Sequence, residues 1–381
     1  MPPTRRFLFL YSRTGGGHLA AARAVAAALN EKFGQDAQVE LVDIFAESGR
    51  WPFQHFPAWY PTMLGWRGWP WRVFYRATDN AQIVRTVSRL LWPYVHKPLH
   101  TLLSRHPADV IVSFHPIPNV ILASYRDQHL PHTPLAVVVQ DFVSAPRAWF
   151  APGYDAYFLP WPETQKLALA QGLPPERLHV SGMPVGKEFG QMMNFSQAEV
   201  RGRLGLNENM PVVLFIGGGE GVGDMLPFVQ DFMARKPRAQ VVVIAGHNAR
   251  LSEKLRRQGH DSRLKVLGFV QNMPEWMRAA DILVTKAGPN TLAEAFIMGL
   301  PSIIYHAIPG QEAGNPRLVE ENGAGLWAPT PSQASTAIMQ LLHNPQKRKI
   351  MAGNAHKMAR PQAAAHIAQK LWQMADEGNP P

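Results

Sequence analysis

A short apolar run followed by a glycine-rich loop and a helix occurs twice in this chain, and this order constrains the fold more than any other feature. The first copy runs from residues 7–11 through 14–18 into an alanine-rich helix at about 19–32. The second begins at residues 212–216 and enters a glycine loop at 217–223. Five consecutive apolar residues predict a strand that is buried on both faces, as in parallel sheets.

Further short apolar segments alternate with helical stretches in both halves. We interpret them as strands at residues 39–42, 110–114, 135–139, 156–159, 241–244, 265–267, 282–284 and 302–305. This alternation predicts an α/β fold with two Rossmann-like domains, whose parallel sheets face each other across a cleft. We expect a first domain at 1–190, a second at 191–362, and a C-terminal helix at 363–381 that packs back on the first.

Composition narrows the class of protein. The 381 residues include no cysteine, which excludes disulfides, zinc ribbons, iron–sulfur clusters and thiol nucleophiles. With 38 Lys and Arg against 28 Asp and Glu, the net charge of +10 favours nucleic acid, an acidic membrane surface or phosphorylated small molecules as partners. No apolar run is long enough to span a bilayer, and the N-terminal run is too short for a signal peptide, so we expect a cytoplasmic protein.

Residues 50–105 depart from the strand–helix pattern. They contain six of the eleven tryptophans, and eight Arg and Lys against the single acid Asp79. Tryptophan favours the membrane interface and arginine is attracted to anionic headgroups, so we interpret this segment as a surface that lies on a membrane. A packed insertion with solvated arginines, or a nucleic-acid surface, would be the alternatives.

The glycine loops are neither a dinucleotide fingerprint nor a P-loop, because both spacings differ and no Lys-Ser/Thr pair follows. A strand that ends in Lys286-Ala287-Gly288, followed by a helix near Asn290, instead predicts a diphosphate site at the positive helix terminus. Glu294, one turn further on, is placed to accept ribose hydroxyls. Alternatively, Asn290 or Thr291 caps this helix and Glu294 serves only the helix dipole.

Residues 286–294, the sequence Pro-Gly-Gln-Glu-Ala-Gly-Asn at 309–315 and the two glycine loops together resemble a known family. They are similar to the glycolipid-synthesising glycosyltransferases, namely monogalactosyldiacylglycerol synthases and diacylglycerol glucosyltransferases. These share the two-domain GT-B fold with the N-acetylglucosaminyltransferase that forms lipid II. The resemblance covers most of the chain, and the segment at 309–315 is its most specific part.

The resemblance implies a UDP-sugar site in the second domain. Phe269 and Val270 would border the uracil, and Glu294 would bind the ribose. The diphosphate would lie against Gly288, Pro289, Asn290 and Thr291, and the sugar hydroxyls against Gln311, Glu312 and Asn315. The loop near the phosphates would comprise Gly217, Gly218, Gly219 and Glu220.

The first domain would then receive the acceptor. The resemblance implies an acceptor and membrane surface formed by Gly15, Gly16, Gly17, Trp66, Arg67, Trp69, Trp71 and Arg72. An inverting transfer needs one general base, and His18 at the tip of the first loop is a candidate because its ordinary pKa lies near neutrality. Asp141 after the strand at 135–139 is the alternative. Helix-terminus N–H groups can stabilise the leaving diphosphate, so we expect neither a metal nor another cofactor.

Two departures from the family pattern stand out. The family has Thr-Asp after the fourth strand and a His before the nearby Trp, whereas this chain has Gln140-Asp141 and no His before Trp149. Asn290 replaces the second glycine of the phosphate turn, and asparagine tolerates that position because it adopts left-handed angles and caps helices.

The sequence therefore predicts an inverting glycosyltransferase that moves a hexose from a UDP-sugar to diacylglycerol. It would be peripheral on the inner face of the membrane and would not bind nucleic acid. The alternatives are a UDP-GlcNAc-dependent transferase to another lipid, a UDP-sugar epimerase, and a non-enzymatic polyanion-binding module.

Overall fold

A computed structural model describes residues 4–14, 16–48, 53–64, 69–217, 224–257 and 261–378. The chain divides into two compact units. Residues 1–186, 309–311 and 362–381 form the first unit, and residues 187–308 and 312–361 form the second.

The first unit is built on one parallel sheet. Its strands are β1 (Arg5–Tyr11), β2 (Ala37–Asp43), β3 (Val110–Ser113), β4 (Leu135–Val138), β5 (Ala156–Leu159) and β6 (Leu178–Val180). Its helices are α1 (Gly17–Phe33), α2 (Ile44–Ser48), α3 (Phe56–Leu64), α4 (Trp69–Thr78), α5 (Ala81–Arg105), α6 (Asn119–His129), α7 (Pro162–Ala170) and, at the C-terminus, α17 (Ala363–Gly378). Short 3-10 turns occupy Gly34–Asp36, Phe53–His55, Arg147–Phe150 and Pro175–Arg177.

The second unit has the same design. Its strands are β7 (Val212–Ile216), β8 (Gln240–Ile244), β9 (Leu264–Leu267), β10 (Ile282–Lys286), β11 (Ser302–His306) and β12 (Gly325–Trp327). Its helices are α8 (Lys187–Met192), α9 (Gln197–Arg203), α10 (Leu226–Ala234), α11 (Ala249–Arg256), α12 (Met273–Ala279), α13 (Pro289–Met298), α14 (Asn315–Glu321), α15 (Pro331–His343) and α16 (Pro345–Met358).

Both sheets are parallel and doubly wound, which confirms the predicted fold class. The strand order is β2-β1-β3-β4-β5-β6 in the first unit and β12-β11-β10-β7-β8-β9 in the second. The order reverses beside β1 in the first sheet and beside β7 in the second. In open α/β sheets, ligands bind beyond the carboxyl ends of the strands at such a reversal. Each predicted glycine loop follows one of these two strands.

Strand β1 shows why the apolar runs form central strands. Phe7 and Phe9 pack on the face that carries α1 and α17, while Leu8 and Leu10 pack on the opposite face with α5 and α6. Each of these side chains is almost fully buried, which contributes roughly 1.5–3 kcal/mol per residue. A strand with two covered faces needs apolar residues at consecutive positions, and the run at 7–11 supplies them.

Helix α17 packs against α1 in the first unit. The indole ring of Trp372 stacks on the Phe33 ring, with centroids 3.9 Å apart and planes at 4°. The Arg5 guanidinium lies 3.9 Å above the same indole and also pairs with Asp376. The last helix thereby becomes part of the core that surrounds β1.

The described part of the segment at 50–105 is mostly helical, and the burial of Trp71 within it corrects the prediction for that residue. Trp71 is buried and packs against the rings of Phe74 and Tyr75. The prediction that Trp71 belongs to an exposed membrane surface is therefore wrong, because its ring fills the core of this helical segment. Trp69 on the same helix is 67% exposed.

Candidate functional site

The helix α13 begins directly beyond strand β10. Gly288 is its N-cap residue, so the alternative that Asn290 or Thr291 caps the helix is wrong, while the role of Glu294 stays a prediction. Pro289 occupies the first helical position, where its missing N–H costs no hydrogen bond. A ten-residue helix with an uncapped N-terminus leaves backbone N–H groups free for an anion. The Oδ1 atom of Asn290 is buried without a hydrogen-bond partner among the described residues.

Lys286 adds a positive charge at this helix terminus, and the sequence analysis did not assign it to the site. A Cβ atom at Gly288 would lie 2.9 Å from the Lys286 ammonium nitrogen, so the glycine allows the ammonium to approach the turn. The position of a lysine at the end of a buried strand was the available signal. Together, the ammonium and the helix dipole make this strand end suited to bind a diphosphate.

Glu312 and Asn315 stabilise the loops around this terminus. The Glu312 carboxylate is buried; it pairs with Lys286 and accepts a hydrogen bond from the backbone N–H of Ile308 at 3.0 Å. Asn315 donates to the Ala287 carbonyl oxygen at 2.9 Å through Nδ2. Both Glu312 oxygens are thus engaged inside the second unit. This arrangement gives Glu312 a positioning role, while its predicted contact with the sugar stays a prediction.

Glu294 lies on the second turn of α13, and its environment is unusual for a carboxyl group. Burial, together with the nearby Glu188 carboxylate, raises the pKa of Glu294 to about 8. A carboxyl group with this pKa is mostly protonated at neutral pH. Its ionisation is therefore coupled to any ligand that binds only the carboxylate form.

An aromatic pair lies beyond the neighbouring strands β8 and β9. Phe269 is 59% exposed, and its ring stacks on the imidazole of His247 with centroids 4.7 Å apart and planes at 12°. Val270, next in the chain, is half-buried. The sequence analysis missed His247, which follows β8 just as Phe269 follows β9. The exposed face of this pair can stack against a planar base.

In the first unit, His18 lies one residue into α1, which begins after the left-handed Gly16. Burial lowers the pKa of His18 to about 4, and a hydrogen bond to the backbone of Phe114 acts in the opposite direction. The Nδ1 atom is buried and has no partner among the described residues, so this bond belongs to Nε2. The argument for His18 from an ordinary pKa is therefore wrong. The ring is nevertheless neutral at pH 7, with Nδ1 as an unprotonated acceptor.

Asp141 follows β4 and is buried. Trp149 donates to its Oδ2 through the indole N–H at 2.6 Å, and Gln311 donates to its Oδ1 through Nε2 at 3.2 Å. By its contacts Gln311 thus belongs to the first unit. These donors hold the carboxylate in one orientation, and its role as a base stays a prediction.

The remaining predicted residues fall into two groups. Gly16, Gly17, Trp69, Arg72 and Gly217 are described, and of these Gly217 is buried at the end of β7. The other group lies outside the described residues and comprises Gly15, Trp66, Arg67, Gly218, Gly219 and Glu220.

In the described ranges no helix has the length and apolar character needed to cross a membrane. Within those ranges no group of three or more metal-ligating side chains occurs.

Comparisons with known proteins agree with this architecture. The family model for monogalactosyldiacylglycerol (MGDG) synthase matches residues 18–185, and the model for the glycosyltransferase family 28 C-terminal domain matches residues 212–367. Among solved structures, MurG from Acinetobacter baumannii aligns with a TM-score of 0.59 at 15% identity, covering 97% of this chain and 100% of that one. UDP-GlcNAc 2-epimerase from Neisseria meningitidis aligns with a TM-score of 0.63 at 12% identity, with coverage of 97% and 100%. The fold is that of the GT-B class of UDP-sugar enzymes.

Curated relatives specify the family. The probable monogalactosyldiacylglycerol synthase of Nicotiana tabacum is 35% identical over 387 aligned positions, covering 99% of this chain and 72% of that protein. Monogalactosyldiacylglycerol synthase 3 of Arabidopsis thaliana is 32% identical, covering 97% of this chain and 81% of that protein. The chain belongs to the monogalactosyldiacylglycerol synthase family, which confirms the resemblance inferred from its motifs.

Proposed function

We propose that this protein transfers a galactosyl group from UDP-galactose to the free hydroxyl of diacylglycerol. The observation that carries the proposal is the near full-length similarity to monogalactosyldiacylglycerol synthases. In the reaction the hydroxyl oxygen forms a bond to the anomeric carbon, the bond from that carbon to UDP breaks, and the hydroxyl proton passes to a base. Attack from the face opposite UDP inverts the anomeric centre.

The second unit would bind the donor at the strand ends described above. The diphosphate would lie at the N-terminus of α13, where the backbone N–H groups and the Lys286 ammonium neutralise the charge that develops on the leaving UDP. Glu294 would accept the ribose hydroxyls, and the exposed ring of Phe269 would stack on the uracil. We expect no metal ion to be needed there, because the helix N–H groups and the Lys286 ammonium, which also pairs with Glu312, already stabilise negative charge.

The first unit would bind the acceptor and supply the base. His18 Nδ1 is unprotonated and lacks a hydrogen-bond partner among the described residues, so a hydroxyl proton of the acceptor could satisfy it. A buried nitrogen left unpaired costs about 1–3 kcal/mol, and acceptor binding would remove that cost. Asp141 remains the alternative base. Its two oxygens already accept hydrogen bonds, which favours a role in orienting Trp149.

The first unit also offers a surface for the membrane. On α5 the side chains of Ile83, Val87, Leu90 and Tyr94 are exposed at helical spacing, and Leu90 is 75% exposed. A cavity of about 610 Å³ opens beside them, with Arg85, Arg89 and Arg147 in its lining. Apolar side chains next to arginines suit the boundary between acyl chains and anionic headgroups. We refer to the four exposed residues as the α5 stripe.

The test is a product analysis with purified protein. Radiolabelled UDP-galactose, UDP-glucose and UDP-GlcNAc are each offered with detergent-dispersed diacylglycerol, and the lipid products are separated. We expect a galactolipid with inverted anomeric configuration from UDP-galactose. Transfer from UDP-GlcNAc alone, or release of an epimerised nucleotide sugar without a lipid product, would overturn the proposal in favour of one of the alternatives.

A further inference from the structure

His115 is a buried side chain that no part of the proposed function uses. It lies two residues after β3, at the same carboxyl edge of the first sheet as the loop that carries His18. Its imidazole packs edge-on against the His18 ring, with centroids 4.8 Å apart and planes at 62°. The rings of Phe45 and Phe56 stand nearly perpendicular to the same imidazole, with ring centroids 5.3 and 6.3 Å from its centroid. The ring is therefore held from several directions.

The hydrogen bonds of His115 determine its tautomer. The backbone N–H of Ile117 donates to Nδ1 at 3.3 Å, so Nδ1 carries no proton. Burial lowers the pKa of His115 well below 6.5, with His18 lowering it further, so the ring is neutral. In the neutral ring the proton must then be on Nε2. The Nε2 atom lies 3.2 Å from the Thr14 hydroxyl oxygen, which accepts this proton.

Thr14 connects this hydrogen bond to the loop. It is buried within the β1–α1 connection, and its backbone N–H donates to the Ser12 hydroxyl oxygen at 3.2 Å. Four residues further along the chain is His18, just beyond the left-handed turn at Gly16. The bond from His115 to Thr14 thus fixes a residue two positions before Gly16, and the ring of His115 borders the ring of His18.

We propose that His115 is a positioning residue for the transfer reaction: through Thr14 it holds the β1–α1 loop in the conformation that presents His18 to the acceptor. The inference deepens the proposed function and rests on it. A displacement of about 1 Å at a reacting group can reduce the rate up to a hundredfold, so loss of this anchor should reduce kcat. The donor binds in the second unit, so its KM should be insensitive to the change.

Two matched pairs of variants test the proposal. His115→Gln can place an N–H near the position of Nε2 and keep the bond to Thr14, whereas His115→Asn keeps only an acceptor near Nδ1 for Ile117. Thr14→Ser keeps the hydroxyl, and Thr14→Val removes it. We expect His115→Asn and Thr14→Val to lower kcat about tenfold with unchanged KM for the UDP-sugar, while His115→Gln and Thr14→Ser stay within about threefold of the wild type.

The double variant His115→Asn/Thr14→Val completes the cycle. If the two residues act through one hydrogen bond, its kcat is no lower than that of the worse single variant. Losses that multiply, a wild-type kcat in His115→Asn, or equal losses in the Gln and Asn variants would each overturn the proposal.

A measurement without substrate separates this proposal from the proposed function. In protein labelled with ¹⁵N-histidine, nitrogen shifts report the tautomer of each ring. We expect His115 with the proton on Nε2 in the wild type and in Thr14→Ser, and altered His18 nitrogen shifts in Thr14→Val. Unaltered His18 shifts in Thr14→Val would refute the anchoring role even if the galactolipid forms. A wild-type protein that makes no glycolipid, but shows the expected shifts, would refute only the proposed function.

Discussion

His18 is the residue whose ionisation should be visible in the rate. Because burial lowers its pKa to about 4, the ring stays unprotonated and able to accept a proton down to about pH 5. We therefore expect the ionisation of His18 to change kcat at saturating donor only slightly between pH 5 and pH 8. The measurement is a pH profile of kcat on detergent-dispersed diacylglycerol.

The matched variant is His18→Ala, which should lower kcat by about a hundredfold or more across this range, the usual scale for a lost general base. A near-normal rate in His18→Ala would transfer the role to Asp141. An acid limb near pH 6.5 that disappears in His18→Ala would contradict the lowered pKa.

Glu294 gives a second prediction at this scale, for donor affinity. If ribose hydroxyls bind its carboxylate form, UDP binding releases a proton wherever the free side chain is protonated, which is below about pH 8. Affinity for UDP should then rise between pH 7 and pH 8.5. Calorimetry in two buffers of different ionisation enthalpy measures both the affinity and the proton release.

Two variants make the Glu294 prediction specific. Glu294→Gln should weaken UDP binding and abolish the proton release above pH 7. Glu188→Gln should bring the pKa of Glu294 closer to its ordinary value and move the rise in affinity to lower pH, because the Glu188 charge contributes to the shift. Proton release that persists in Glu294→Gln would mean that another group titrates.

The sequence was informative about residues whose role follows from backbone geometry, and less so about those whose role depends on packing. Gly288 could be located because a glycine between a strand and a helix has few other uses. The burial of Glu312 depends on a partner far away in the chain, the Lys286 ammonium, and the burial of Trp71 depends on its ring packing with Phe74 and Tyr75. The low pKa of His18 likewise results from burial, which no local pattern indicates.

At the scale of secondary-structure elements, the α5 stripe leads to a prediction for membrane binding. Replacing Val87 and Leu90 together by serine should weaken binding to anionic vesicles at least about tenfold, because each exposed side chain can gain roughly 1.5–3 kcal/mol when fully buried. Activity on detergent-dispersed diacylglycerol should be spared. Co-sedimentation with phosphatidylglycerol-containing vesicles measures the binding.

The control for the α5 stripe is Ile350→Ser on α16 in the second unit, which removes an apolar side chain that is 56% exposed. It should leave vesicle binding unchanged. If the control weakens binding as much as the double variant, general loss of surface hydrophobicity explains the effect, and the α5 stripe is not the membrane surface.

Elements were predictable where one periodicity ran long enough. The central strands appear as apolar runs because both of their faces are covered. Strands β6 and β12 were missed because each has only three residues and ends in an exposed side chain. The helix α5 continues through Pro93 and Pro98, residues that normally end a helix. Tertiary contacts of Leu99, Leu102 and Leu103 with the core compensate for the hydrogen bonds lost there.

At the scale of the whole molecule, buried ionisable groups should make stability depend on pH in two windows. His18 and His115 have pKa values lowered by burial, so between pH 4 and 6.5 the unfolded chain binds more protons and stability falls with falling pH. Glu294 has a raised pKa, so from pH 4.5 to 8 the folded chain binds more protons and its contribution falls as pH rises.

The melting temperature measured against pH, with and without UDP, tests these opposite signs together. His18→Gln should flatten the fall on the acid side, while His343→Gln, which changes an exposed histidine, should not. UDP at a hundred times its Kd stabilises the folded chain by about 2.7 kcal/mol at any pH. At a fixed UDP concentration, however, the melting temperature should rise more at pH 8 than at pH 7. The reason is that the affinity for UDP increases as Glu294 ionises. An upshift that is larger at pH 7 would reverse that sign and remove Glu294 from the donor site.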